Sequence, residues 1–269
     1  MSELKGKVVW VTGASSGIGE ALVYELVSHG ARLIISARRK DELERVKGTC
    51  QKLGGTSIEI LPLDLSQANT LSLMTEAALQ FYGQIDILVN NGGISQRSLA
   101  KETALDVDRR IMEVNYFGTI TLTKHLLTHF ITRGTGHIVT VTSVTGLLGT
   151  PYRSGYAASK HALHGFFNSL RAELWKESHS LYVTLICPGW TNTNLSITAL
   201  KGDGSPQNKK DDTHATGLSS EYVAKKIIHA IEGNTNQIIV GGWKETMAAY
   251  INRFSPNLFA MIVRSAKVK

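Results

Sequence analysis

The sequence predicts a doubly wound α/β fold, a parallel seven-stranded sheet sandwiched between two layers of helices. Seven short runs rich in β-branched residues recur along the chain. Those at Val8 to Val11, Leu33 to Ile35, Ile87 to Val89, Ile138 to Val141 and Ile238 to Val240 are nearly continuous in apolar residues, the pattern of strands covered on both faces. Longer amphipathic stretches lie between the early runs, and parallel strands need such crossovers. The 269 residues, 42% hydrophobic and 19% charged, suit one compact domain spanning 1–269 and exclude a disordered chain or a small disulfide scaffold.

In chain order, strands are expected at Lys7–Thr12, Arg32–Ala37, Ser57–Leu61, Ile85–Val89, His137–Thr142, Tyr182–Cys187 and Gln237–Val240. Helical length and periodicity mark Glu20–His29, Lys40–Leu53, Leu71–Phe81 and Ala157–Lys176, and a further helix starts at Ser219 or Ser220 and runs toward Glu232. Residues Lys201–Ser220 lack periodicity and are rich in turn formers, so 194–220 is expected to be a mobile surface loop over the substrate, long enough to act as a lid. Its Lys209 to Asp212 run reads as a self-neutralising loop tip. Residues 243–269 read as an apolar helical tail, a core or dimer element that could also touch a lipid surface. No internal repeat is found.

The net charge of +7 is spread along the chain without a basic cluster, so a nucleic-acid partner is not expected. Cys50 and Cys187 lie far apart with no paired spacing, which points to a reducing compartment and to no structural metal; His161 and His164 have no third ligand. The first strand begins too early for a signal peptide, no run approaches a membrane span, and Asn194-Leu195-Ser196 reads as a chance sequon. The expectation is a cytoplasmic protein.

Directly after the first strand, Gly13, Gly17 and Gly19 punctuate a strand-to-helix turn that also holds Ser15, Ser16 and Ile18. Glycines at this spacing let backbone amides and a helix N-terminus approach a pyrophosphate, the Rossmann-type arrangement for a dinucleotide. The second strand ends in Arg38 and Arg39 with no carboxylate, which favours the 2′-phosphate of NADP(H) over the free ribose of NAD(H). Asp64, followed by Leu65, is the expected carboxylate for the adenine amino group.

Tyr156 and Lys160, four apart on one helix face, allow an ammonium to stabilise a phenolate and pull the tyrosine pKa toward working pH. With Asn90 to Gly93 after the fourth strand and Ser143 beyond the fifth, the chain resembles the short-chain dehydrogenase/reductase family over essentially its whole length. The glycine signature falls on Thr12 to Gly19, and the Asn-Asn-Ala-Gly segment on Asn90 to Gly93, with Gly92 in place of Ala. Asn115, Ser143, Tyr156 and Lys160 match the catalytic positions, and the Pro-Gly segment falls on Pro188 to Thr193. Within the family the likeness is greatest to the NADP-dependent carbonyl reductases of the dehydrogenase/reductase member seven group, whose animal members carry an N-terminal anchor absent here.

The resemblance implies that Tyr156 donates a proton to the carbonyl oxygen as hydride arrives from the nicotinamide. Ser143 binds the same oxygen, Lys160 holds the ribose, and Asn115 fixes a relay water. Asn91, Gly92, Pro188, Gly189, Thr191 and Thr193 complete the expected cofactor site. Ile94, Gln96, Leu148 and Trp190 join Ser143 and Tyr156 in facing the substrate, a set that suits a lipophilic ketone, aldehyde, quinone, steroid or retinoid. Arg97 and Arg153 leave open an acidic substrate such as a 3-oxoacyl thioester. An NAD-dependent alcohol or hydroxysteroid dehydrogenase and a non-catalytic NADP-binding sensor are further alternatives. By the same likeness a homodimer or homotetramer is expected.

Overall fold

The computed structural model describes residues 3–211 and 216–265. Its strands are β1 (Val8–Thr12), β2 (Arg32–Ser36), β3 (Ile58–Ile60), β4 (Ile87–Asn90), β5 (Gly136–Val141), β6 (Leu181–Pro188) and β7 (Gln237–Val240). They form one sheet in the order β3-β2-β1-β4-β5-β6-β7, parallel at every pairing. The order reverses direction between β1 and β4, and such a switch point opens a crevice at the carboxyl ends of the strands.

Two apolar layers hold the sheet. On one face α1 (Gly17–Ser28) and α2 (Lys40–Lys52) pack Leu22, Leu26, Leu43 and Val46 against Val9, Val11, Leu33 and Ile35, together with Val223 and Ile227 of α7 (Ser220–Glu232). On the other, α3 (Leu71–Tyr82), α5 (Gly118–Arg133) and α6 (Ser154–Glu177) set Leu71, Leu126, Phe130, Phe167 and Leu170 against Val8, Trp10, Leu88 and Ile138. Strand residues alternate between the layers with period two, and this is why their runs are apolar throughout. Trp10 is fully buried, its indole N–H donating to Ser36 Oγ at 2.9 Å.

All seven strands and the four early helices lie where the sequence predicts them, with ends shifted by a few residues. α7 starts at Ser220, capped by Ser219, whose hydroxyl accepts from the Tyr222 amide at 3.1 Å. The sequence pattern does not mark α4 (Leu105–Met112), the π-helical turn Glu113–Phe117 or α5. The buried face of α5 carries threonines that blur its hydrophobic period: Thr123 donates to the Thr119 carbonyl and accepts from Asn90 Nδ2 at 3.0 Å.

The tail is helical as expected, in α8 (Trp243–Phe254) and α9 (Pro256–Ser265); residues 266–269 of that prediction lie outside the described residues. Ala249 and Phe259 pack on Val144 and Leu148, and Asn252 Nδ2 bonds the Leu147 carbonyl at 2.9 Å, so the tail backs the segment between Ser143 and Tyr156. Among the described residues no helix is long and apolar enough to cross a membrane.

Candidate active site

The turn after β1 is shaped by what its glycines exclude. Gly13 and Gly17 have φ of +64° and +59°, and a Cβ on Gly13 would fall 2.8 Å from Gly92 Cα. A Cβ on Gly19 would run into the Gly13 carbonyl, so Gly19 seats α1 against the turn without itself lining the crevice. The first amides of α1 have no intrahelical acceptor, and the Ser16 hydroxyl at its N-cap caps nothing. Ser16, Gly17 and Ile18 line the crevice beside Gly13, and this donor set fits an anionic pyrophosphate.

The β4 turn is fastened to the β1 turn. Thr12 Oγ1 accepts from the amides of Asn91 and Gly92, both at 3.1 Å, and Asn91 Nδ2 donates to the Thr12 and Gly13 carbonyls. A Cβ on Gly92 would lie 2.7 Å from Leu65 Cδ1, so the leucine fills the space that an alanine methyl would take.

These turns border a cavity of about 990 Å³ at the carboxyl ends of the strands. Ser15, Ser16, Ile18, Arg38, Arg39, Asp64 and Leu65 line it on one side; Asn91, Gly92, Pro188, Gly189, Thr191 and Thr193 lie between; Ile94, Ser143, Leu148, Tyr156, Lys160 and Trp190 line the other. Asp64 accepts the amide and hydroxyl of Ser66 on Oδ1, at 2.9 and 2.8 Å, and has no hydrogen bond on Oδ2 among the described residues. Residues that sequence reasoning did not assign to the pocket include Trp243, Ala248, Phe259, Ile262 and Val263 of the tail. Their apolar helical pattern was visible, but its placement over the cavity depends on how α8 and α9 fold back.

Two predicted positions lie behind the wall. Gln96 is fully buried and does not line the cavity, which corrects the expectation that it faces substrate. Its Nε2 donates to Thr103 Oγ1 at 2.8 Å and its Oε1 accepts from the Gly155 amide at 2.8 Å, so it holds the first turn of α6 and with it Tyr156. Asn115, in the π-helical turn, is also fully buried. It accepts from the Ile94 amide at 2.8 Å and donates to the Ile94 carbonyl and to Ser159 Oγ, lacing the β4 loop to α6.

Tyr156 and Ser143 both line this end of the cavity, and the Ser143 hydroxyl donates to the Pro188 carbonyl at 3.4 Å. The Ser143 hydroxyl is itself braced by Thr145, whose amide and hydroxyl donate to it at 3.2 and 3.0 Å. Lys160 donates to the Val141 carbonyl at 3.0 Å, and its ammonium lies 5.7 Å from the centre of the Tyr156 ring. Burial pushes the lysine down to about 8. Burial also raises the Tyr156 phenol above its ordinary value, opposed by the Ser143 hydroxyl and by the positive charges of Arg97 and Arg153. Arg153 is buried and Arg97 half-buried, and both stand with Tyr156 and Lys160 in the wall of the same cavity.

The segment at 194–211 is tied to this end of the cavity. Leu200 is bridged to Gln96 and Pro206, its amide donating to the Ser95 carbonyl at 2.9 Å, and Ser196 is fully buried. Asp211 pairs with Arg97 at 2.6 Å and Arg153 at 3.3 Å, which corrects the reading of Lys209 to Asp212 as a self-neutralising tip; Lys210 reaches Asn192 Oδ1. Residues 212–215 of the predicted loop lie outside the described residues. His164 packs behind the site against Thr142 and Cys187.

The sequence profile described as short chain dehydrogenase matches residues 7–203. The chain belongs to that family. It is 44% identical over 270 residues to a dehydrogenase/reductase SDR family protein 7-like of Anopheles gambiae, covering 99% of this chain and 84% of the relative. Identity is 43% over 259 residues to dehydrogenase/reductase SDR family member 7 of Homo sapiens, covering 94% and 76%, which places the chain in the member 7 group. Among solved structures, a short-chain dehydrogenase/reductase from Burkholderia phymatum in complex with NAD superposes with a TM-score of 0.85 at 23% identity, covering 96% of each chain. A short chain dehydrogenase from Burkholderia cenocepacia in complex with NADP gives 0.80 at 21%, covering 99% of this chain and all of the other. These two likenesses establish the Rossmann-type fold. As a family member the protein is an oxidoreductase that moves hydride between a nicotinamide nucleotide and an alcohol or carbonyl, the redox chemistry that the bound nucleotide supplies.

Proposed function

We propose that the protein is an NADP(H)-dependent carbonyl reductase acting on lipophilic ketones, aldehydes, quinones, steroids or retinoids. The observation that carries the cofactor reading is the pair of exposed arginines, Arg38 and Arg39, on the cavity rim beside Ser15 and Ser16, at a strand end that bears no carboxylate. A guanidinium fork there matches a ribose 2′-phosphate. The substrate reading is supported by the opposite end, where Leu148, Trp190, Ile197, Phe259 and Ile262 offer an apolar wall around the Ser143 and Tyr156 hydroxyls.

In the reductive direction Tyr156 gives its proton to the carbonyl oxygen, while Ser143 stabilises the developing negative charge on that oxygen by hydrogen bonding. Lys160 holds the nicotinamide ribose, and Asn115 keeps the β4 loop and α6 in register. Arg38→Asp should reduce kcat/KM with NADPH by roughly tenfold to a hundredfold, the worth of one charge-assisted hydrogen bond, and raise it with NADH. Steady-state rates with both cofactors measure this, and an unchanged preference would remove the cofactor reading. We further propose a homo-oligomer, supported by the exposed Phe117, Ile131 and Trp175 around α5 and α6 and measurable by light scattering.

A further inference from the structure

Reduction of an uncharged ketone leaves part of the cavity wall without a task. Arg153, the residue before α6, lines the cavity although it is only 3% exposed. Its guanidinium carries five donors, and the two hydrogen bonds it makes among the described residues are long: Nη1 to the Pro151 carbonyl at 3.4 Å and Nη2 to Asp211 Oδ2 at 3.3 Å. The Asp211 carboxylate is engaged more closely elsewhere, by Arg97 Nε at 2.6 Å and by Gln207 Nε2 at 2.8 Å. The flat face of Arg153 is fixed against the Trp190 ring at 4.7 Å, so its edge is presented in a set orientation. Three residues earlier Thr150 lines the same cavity, and its hydroxyl is buried without a hydrogen-bond partner among the described residues. Arg153 lies three residues before Tyr156 and lines the same cavity as Tyr156 and Ser143, which puts this donor set at that end of the pocket; burial pushes Arg153 down to about 10.

A buried guanidinium with unfilled donors and an orphaned hydroxyl are each costly unless an acceptor arrives. A carbonyl compound with an apolar chain alone brings none beyond the oxygen taken by Tyr156 and Ser143. A carboxylate or phosphate brings the paired acceptors that a guanidinium fork matches. We propose that Arg153 and Thr150 form a subsite for an anionic oxygen group on the substrate. The compound reduced is then an amphiphile: an apolar chain against Leu148, Ile197 and Phe259, a carboxylate or phosphate at Arg153, and the carbonyl at Tyr156. This substrate class rests on the reductase reading above.

The test uses the full chain with NADPH and medium-chain oxo acids paired with their methyl esters. The acid should be favoured in kcat/KM by roughly tenfold or more, and Arg153→Gln should collapse that ratio by raising KM for the acid more than for the ester. A ratio near one in the unaltered protein, or equal losses on both substrates in the variant, would overturn the subsite and leave Arg153 a positioning residue for Tyr156. Should Arg153→Gln fail to fold, Thr150→Val should lower the ratio in the same direction, and no change would count against the proposal. Calorimetric titration of the NADPH complex with decanoate, decyl phosphate and decanol is independent of turnover. Tighter binding of either anion than of the alcohol supports the subsite and tells carboxylate from phosphate, and equal binding of all three overturns it. If no carbonyl compound is reduced while an anion still binds, the reductase reading fails and the subsite stands.

Discussion

Tyr156 is buried, and in the proposed reaction its neighbours decide whether its proton is available. The Ser143 hydroxyl, braced by Thr145, opposes the effect of burial on the phenol. Ser143→Ala should therefore lower kcat by roughly a hundredfold to a thousandfold, the usual cost of removing one preorganised donor, with little change in NADPH affinity. Stopped-flow turnover and fluorescence titration measure the two effects separately. The residues proposed to react were picked out by local spacing: Tyr156 and Lys160 sit four apart on α6, and Ser143 lies just beyond β5. Gln96 was misread for the opposite reason. Its neighbourhood in sequence resembles a pocket loop, whereas its partners Thr103 and Gly155 are fixed by tertiary folding, as is the pairing of Asp211 with Arg97 across more than a hundred residues.

At the scale of elements, the strand-turn-helix units carry the site, and the sequence displays them well. β1, its glycine turn and α1 read directly, since only glycine adopts the positive φ at positions 13 and 17 without strain. Contact between the β1 and β4 turns was not readable. Gly92 stands where the family has alanine, and the structure shows its turn held by Thr12, with Leu65 filling the methyl's place. Gly92→Ala should overpack this contact and destabilise the fold by about 1–3 kcal/mol. Gly92→Ala combined with Leu65→Ala should recover part of that loss, and thermal denaturation of the two variants checks it. α5 escaped sequence reading because its buried threonines interrupt the apolar period, and α4 and the π-helical turn because each is a short run of no more than eight residues; the place of Asn115 depended on them.

For the molecule as a whole, the parallel sheet buries titratable groups that set its acid stability. His137, on β5, and His164, on α6, are both held down to about 4 by burial. The unfolded chain binds protons on these rings from about 6.5 downward, whereas the folded chain does so only near 4. Their contribution is thus fully present above pH 6.5 and is lost progressively as the pH falls toward 4. Urea midpoints should fall across that window, and His137→Gln should flatten the dependence; a midpoint constant from pH 7 to 4 would contradict it. The tail helices show what only the complete fold reveals, since Phe259 and Ile262 return to wall the cavity more than a hundred residues after Tyr156. The central claim is reduction of carbonyl compounds with NADPH by way of Tyr156. The most direct test is the rate of NADPH oxidation with a panel of hydrophobic aldehydes, diketones, quinones, steroids and oxo acids, beside NADH and a Tyr156→Phe control. Turnover should favour NADPH and fall by roughly a hundredfold to ten-thousandfold in the variant, the worth of a general acid, whereas turnover that survives in Tyr156→Phe or prefers NADH would contradict the account.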